Sequence, residues 1–221
     1  MSRRIRELDV SVLDDVPEMC RACVFWEVSR APRGPRRDGV LGREAKEAWW
    51  QATQLEWGIP GRVVYVDDVP VGYATFAPSA HFPRARQYGR PSEDALLLAT
   101  LWIHPEYRGQ GLATMLLQSV LREVHKRGGR ALEAYGARSA SDLAAGCMIP
   151  ETFLLSRGFQ VLWEHQDSPL LRLDLRQTAR WQEVGHALSE VIATLARRER
   201  QPARTPGRPA LETRRDAVGR I

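Results

Sequence analysis

Nowhere in the 221 residues do 18 consecutive positions stay apolar, so no segment is long and apolar enough to cross a membrane as a helix. The opening, MSRRIRELDV, carries basic residues but lacks the apolar core of a secretory signal. Cysteine is scarce: three residues, an odd number, argue against the disulfide framework of a secreted protein. There is no internal repeat. These absences point to a cytoplasmic protein with no membrane partner. What is present is an apolar fraction of 43%, ample for a core, in a length that suits one large domain or one domain with extensions.

The net charge of +5 is unevenly held. Of 32 basic and 27 acidic residues, eight Arg and three acids lie from Arg197 onward, which leaves 24 of each sign before it. The basicity belongs to a tail. Basic arms bind nucleic acid or other polyanions, but this one is Pro-rich and free of aromatics, the composition of a solvated segment. Nucleic acid is a partner only if the tail recruits it. Ahead of the tail, Thr178 to Arg198 sets Trp181, Val184, Leu188, Val191, Ile192 and Leu195 on one face of a helix. That stripe either covers its own domain or meets a second subunit as a homodimer. The expected divisions are a domain over 1–175, an amphipathic helix over 176–200 and a basic, disordered tail over 201–221.

Within the domain, Arg3 to Leu8 reads as an edge strand, and Asp14 or Asp15 caps a helix expected to run to about Val28. Ser29 to Gly42 is loop by its Pro, Gly and Arg content. Arg43 to Trp57 is a second helix bearing Trp49, Trp50 and Trp57, broken by Gly58-Ile59-Pro60-Gly61. Arg62 to Val66 and Val69 to Phe76 form a hairpin around Asp67-Asp68, followed by a polar loop from Pro78 to Glu93. After the central unit described next come a connector, Gly136 to Met148, a short helix and a closing hairpin over Phe159–Trp163 and Leu170–Leu175.

Ala95 to Tyr135 organises the rest. An apolar run, Ala95 to Ile103, is long enough for a buried strand and ends at Pro105. A glycine-rich bend, Arg108-Gly109-Gln110-Gly111-Leu112-Ala113, opens a helix to Lys126 with Leu112, Met115, Leu116, Val120 and Val124 at helical spacing. Gly128-Gly129 stops the helix, and Ala131 to Tyr135 is the next strand. The end of a strand feeding a helix is an anion cradle. The first helical N–H groups have no partner in the helix, the peptide dipoles make that end positive, and glycines let a ligand come close to the backbone. A P-loop would need Gly-Lys followed by Ser or Thr, and none is present. A dinucleotide fingerprint would need a third Gly where Thr114 stands. The pattern Arg/Gln-x-x-Gly-x-Gly/Ala fits in full, as Arg108-x-x-Gly111-x-Ala113.

With that turn the chain resembles the GNAT superfamily of N-acetyltransferases, in which this is the pyrophosphate-binding motif of acetyl-CoA. His104-Pro105-Glu106-Tyr107 resembles the family's lead-in, and Phe153-Leu154-Leu155-Ser156-Arg157-Gly158-Phe159 its second motif, a short helix ending in Gly-Phe. The resemblance covers roughly Arg3 to Leu175. It implies an α/β (α+β) fold with a central mixed, mostly antiparallel sheet flanked by helices, to which the C-terminal helix is extra. It implies an acetyl-CoA-dependent transfer of an acyl group by direct attack of an amine, on a small molecule or a peptide, in a ternary complex. The alternative is a degenerate domain that binds acyl-CoA as a sensor or partner module and transfers nothing.

By the same resemblance, Leu101, Trp102 and Ile103 would pair their backbone with the pantetheine arm. Arg108, Gly109, Gln110, Gly111, Leu112, Ala113 and Thr114 would hold the pyrophosphate. Many members place a general acid, a Tyr, four residues before the second-motif Gly; here that place is Leu154. Tyr135, at the end of its strand, and Glu133, two residues earlier on the same face, are the replacement acid and base, with Glu93 and Asp94 behind them. Cys20 and Cys23, with Cys147 in the connector, fit three uses: buried small residues, a redox pair or thiol nucleophile, or part of a zinc site whose fourth ligand is not apparent. No metal is expected. The three tryptophans of the second helix either line an aromatic acceptor pocket or pack that helix onto the sheet.

Overall fold

The computed structural model describes residues 1–29, 40–139 and 148–175. All of them belong to one unit, Met1–Arg180. The other unit, Trp181–Ile221, lies outside the described residues, as do Cys147 and most of the loop after Ser29. The expected helix over 178–198 and the basic tail therefore fall outside them too.

Among the described residues eight strands form the sheet: β1 (Arg3–Glu7), β2 (Gly61–Val66), β3 (Val69–Pro78), β4 (Ala95–Ile103), β5 (Ala131–Ala137), β6 (Ile149–Pro150), β7 (Gln160–Trp163) and β8 (Leu170–Asp174). Their order is β1-β2-β3-β4-β5-β8-β7, with β6 beside β5. Only β4–β5 and β5–β6 are parallel, so the sheet is mixed and mostly antiparallel, as the fold class implied. Among the described residues the helices are α1 (Glu18–Arg21), α2 (Val40–Glu56), α3 (Leu112–Lys126) and α4 (Glu151–Ser156). The β2–β3 hairpin turns on Asp67 and Asp68, at φ 47° and 66°. Two successive left-handed residues match the twist of the strands they join, and Asp tolerates that conformation.

The expected continuous helix from Asp14 to Val28 does not form. A 3-10 turn over Val10–Asp15 is followed by α1, which ends at Arg21. The physical cause is Pro17. Its ring disfavours helical backbone in the preceding residue, and Val16 is extended at φ −78°, ψ 136°. Pro17 then starts a fresh, short helix, and Cys20, Val24, Trp26 and Glu27 are buried in and after it.

The sheet separates two apolar layers. Under α3 and α4 lie Leu112, Leu116, Leu117, Val120, Val124 and Leu154, against Val64, Phe76, Leu98, Leu132 and Leu171. On the other face α2 brings Trp50 against Leu8, Val63 and Tyr73, while Trp26, Phe82, Leu97 and Tyr135 form a third cluster. Helix α3 is also tied through charge: Glu123 accepts from Arg62 of β2 at 2.9 Å and from Arg127 at 2.6 Å. Burial alone would push the Glu123 carboxyl up; the Arg127 hydrogen bond and the Arg62 charge outweigh it and hold it below the usual range. At the far end of α3 the N–H of Gly129 bonds Val124 O and that of Gly128 bonds His125 O, both at 2.9 Å, the paired closure that glycines allow at a helix C-terminus.

The tryptophans of α2, and Trp57 just past its end, pack the helix rather than stand open. Trp50 is fully buried and its indole donates to Leu8 O at 3.1 Å. Trp49 donates to His81 O at 2.6 Å, and Trp57 meets Phe76 edge-on.

Candidate active site

The site starts from a fault in the sheet. Thr75 of β3 lies opposite Thr100 of β4, but its neighbour Phe76 lies opposite Leu98, so Ala99 is an extra residue in β4. The bulge changes the phase of the strand: Leu96 and Leu98, then Leu101 and Ile103, all reach the layer under α3. On its other edge β4 pairs with β5 only at Ala95, Leu96 and Leu97. Beyond that point β5 bonds with β6 and β8, and the ends of β4 and β5 diverge.

The glycine-rich turn sits at the open end of this gap. His104 N–H donates to Val71 O, a 3-10 turn covers Pro105–Tyr107, and Arg108 Nε donates to Ile103 O at 3.1 Å. Gly109 and Gly111 hold φ of 75° and 81°, a left-handed region that side chains rarely adopt, and a Cβ added at either would meet no atom within 4 Å. Gly111 is the N-cap of α3. The first bond of that helix runs from Met115 N–H to Gly111 O at 3.1 Å, leaving the N–H groups of Leu112, Ala113 and Thr114 without an acceptor in the helix. Bare glycine backbone, unused N–H groups and the positive end of a 15-residue helix converge on one space.

That space is a cleft of ≈ 570 Å³, within the range of small-molecule sites. Leu101, Trp102, Ile103, Arg108, Gly109, Gly111, Leu112, Ala113 and Thr114 line it. Gln110 does not; its carbonyl accepts from Arg3 Nη1 of β1 at 3.0 Å, which ties the turn to the first strand. Tyr107 and, across the cleft, Met148, Ile149, Pro150, Phe153 and Arg157 complete the lining. Nothing in the sequence pattern marks that far wall as part of a site, although Phe153 and Arg157 stand inside the second motif.

A family model described as the acetyltransferase (GNAT) family matches residues 24–145, more than half of the chain. The chain belongs to the GNAT family. Among curated proteins none matches. Among solved structures, the GNAT chain is similar to the PaiA N-acetyltransferase of Thermoplasma acidophilum in complex with coenzyme A, at 17% identity, TM-score 0.53, over 79% of this chain and 99% of that one. It is also similar to YncA of Salmonella typhimurium, solved with its cofactor acetyl-CoA, at 21% identity, TM-score 0.53, over 79% and 95%. An N-acetyltransferase of Staphylococcus aureus Mu50 matches at 17% identity, TM-score 0.52, over 79% and 99%. The cofactor of this GNAT domain is acetyl-CoA, and the residues present fit it. Side chains at Gly109 and Gly111 would fill the cradle, the N–H groups without a helical acceptor suit a pyrophosphate, and past Leu97 no described residue of β5 pairs with the edge of β4, which suits an extended arm.

The two residues expected to move protons lie on β5, and neither lines the cleft. Glu133 is 0% exposed; its carboxylate accepts from Ser92 N–H at 2.8 Å and from Arg172 Nη1 at 3.0 Å. Arg172 also grips Asp94 through two bonds, 2.9 and 3.0 Å, and its hydrogen bond holds the Asp94 carboxyl below the usual range. The Tyr135 hydroxyl donates to Ala85 O at 2.9 Å, and its ring stacks on Trp26 with centroids 5.4 Å apart. Burial, then the Glu133 charge, pushes the Tyr135 phenol well above its ordinary value, so it stays protonated at neutral pH. Leu154, where many relatives carry Tyr, is fully buried in the layer under α3.

The cysteine readings narrow. Cys20 is buried in the α2 layer and hydrogen-bonded to Tyr73; burial pushes its thiol up, away from a reactive thiolate. No cluster among the described residues could hold a metal ion.

Proposed function

We propose that the chain transfers an acetyl group from acetyl-CoA to an amine, on a small molecule or a peptide, by direct attack in a ternary complex in the cytoplasm. The observation that supports this best is the coincidence of the β4–β5 gap with the Gly109–Thr114 turn in one cleft. Acetyl-CoA, when bound, supplies an activated thioester. The turn's N–H groups hold the anionic end, and the unpaired edge of β4 orients the arm as an added strand would.

For the proton steps, Tyr135 is our candidate acid: it keeps its proton and stands on β5 just past the last residue paired with β4, and to act it must give up one bond, to Ala85 O, and turn its hydroxyl toward the cleft. Glu133 is a positioning residue, because a base there would have to give up both Arg172 and Ser92. Tyr135→Phe should lower turnover about a hundredfold with the dissociation constant for CoA unchanged. Turnover equal to wild type in that variant removes Tyr135 from the chemistry.

The experiment that tests the reading is thermal unfolding with and without acetyl-CoA, followed by a screen of amines with thiol release as readout. Ligand at about a hundred times its dissociation constant should stabilise by about 2.7 kcal/mol, a rise of roughly 5–10 °C in midpoint. No rise at millimolar ligand overturns the reading. Burial of Leu154 in place of the family's Tyr favours a second one, a binding module without turnover. A raised midpoint with no thiol release across the amine screen would select it.

A further inference from the structure

Among the described residues, the charged side chains lining the cleft are both positive, Arg108 and Arg157, and no carboxylate lines it. They stand on opposite walls. Arg108 belongs to the glycine-rich turn, where its Nε is committed to Ile103 O. Arg157 caps the C-terminus of α4, and its guanidinium lies over the Phe153 ring, 5.5 Å from the centroid. Its side chain is exposed and forms no ion pair with any described residue. Arg138, just past β5, is instead held by Glu151 and Glu164, and Arg172 by Asp94 and Glu133. A guanidinium laid on an aromatic ring keeps its donor fork free and aimed, the arrangement that suits bidentate bonding to phosphate.

The turn can satisfy only the pyrophosphate. Coenzyme A carries a third phosphate, on the ribose 3′ position, and the anion cradle offers it nothing once the α3 N–H groups are used. We propose that Arg157 is a specificity residue that binds this 3′-phosphate across the cleft, so that the protein discriminates CoA from 3′-dephospho-CoA. The assignment rests on the acetyl-CoA reading above. Phe153 holds the guanidinium in place, and the phosphate replaces water on its outer fork.

The test is isothermal titration of the full chain with CoA and with dephospho-CoA. Wild type should prefer CoA by about tenfold or more, the worth of one charge-assisted pair. Arg157→Ala should bind the two equally, by losing affinity for CoA alone, and Arg157→Lys should recover part of the preference. Arg108→Gln should weaken both ligands and keep their ratio. Wild type that binds both equally overturns the assignment, and so does an Arg157→Ala variant that weakens both alike, since the side chain would then be reading the base. If wild type binds neither ligand, it is the acetyl-CoA reading that falls. Arg157 is exposed, so an unchanged unfolding midpoint without ligand is the expected control.

Discussion

Gly111→Glu should abolish CoA binding while leaving the fold intact. The backbone at this position is left-handed, φ 81°, and a Cβ there meets nothing within 4 Å, so the substitution costs strain of about 1 kcal/mol but no clash. The larger effect is on the ligand. The introduced carboxylate would compete for the N–H groups of Leu112, Ala113 and Thr114 and would repel a pyrophosphate in the same cradle. Affinity should drop by at least about a hundredfold in titration, roughly 2.7 kcal/mol, with the circular dichroism spectrum unchanged. Gly111→Ala is the graded companion, since it adds the strain and a methyl group but no charge. Wild-type affinity in the Gly111→Glu variant would mean the cradle binds nothing.

The second large effect concerns stability. Lys46 of α2 and Glu27, in the segment after α1, form an ion pair whose side chains are 4% and 2% exposed. Removing one partner strands the other charge in the interior, at a cost of about 3–5 kcal/mol. Lys46→Met and Glu27→Gln should each lower the midpoint by about 10 °C. The double variant should recover much of that loss, because no unpaired charge remains. Additive losses would show that the two groups are not coupled in solution. The pair has a consequence for the site as well: Glu27 follows Trp26, whose ring stacks on Tyr135, so the single variants should also disturb the surroundings of Tyr135.

The helix α3, its glycine turn and the strands around it are legible in the sequence because their signals are local. Apolar spacing, Gly128-Gly129 and the Arg108-to-Ala113 pattern need no partner to be read. The bulge at Ala99 is not legible, because β4 is apolar on both faces and alternation carries no phase there. The divergence of β4 from β5 depends on pairing, which spacing along one chain does not encode. The helix expected over 14–28 fails for a reason that is present in the sequence. Apolar spacing favours a continuous helix, whereas the restriction that Pro17 places on Val16 decides the backbone. The identities of Tyr135 and Glu133 are readable, but not their partners: Ala85, Ser92 and Arg172 are 50, 41 and 39 residues away.

The extra residue in β4 also sets what kind of sequence change this protein can absorb. Side chains of a strand alternate with a period of two, so shifting the register by one residue sends each to the opposite face. Deleting Ala99 would restore a plain ladder to β3 in which Leu101 stays opposite Ala74 and Ile103 opposite Gly72, so both keep the layer beneath α3; a further residue inserted between Thr100 and Ile103 would instead turn Ile103 to the opposite face. Exchanges among apolar residues leave that phase untouched. Along this strand, loss of the bulged residue is therefore tolerable where a further single-codon insertion is not, and the slack for a change of length lies at Ala99.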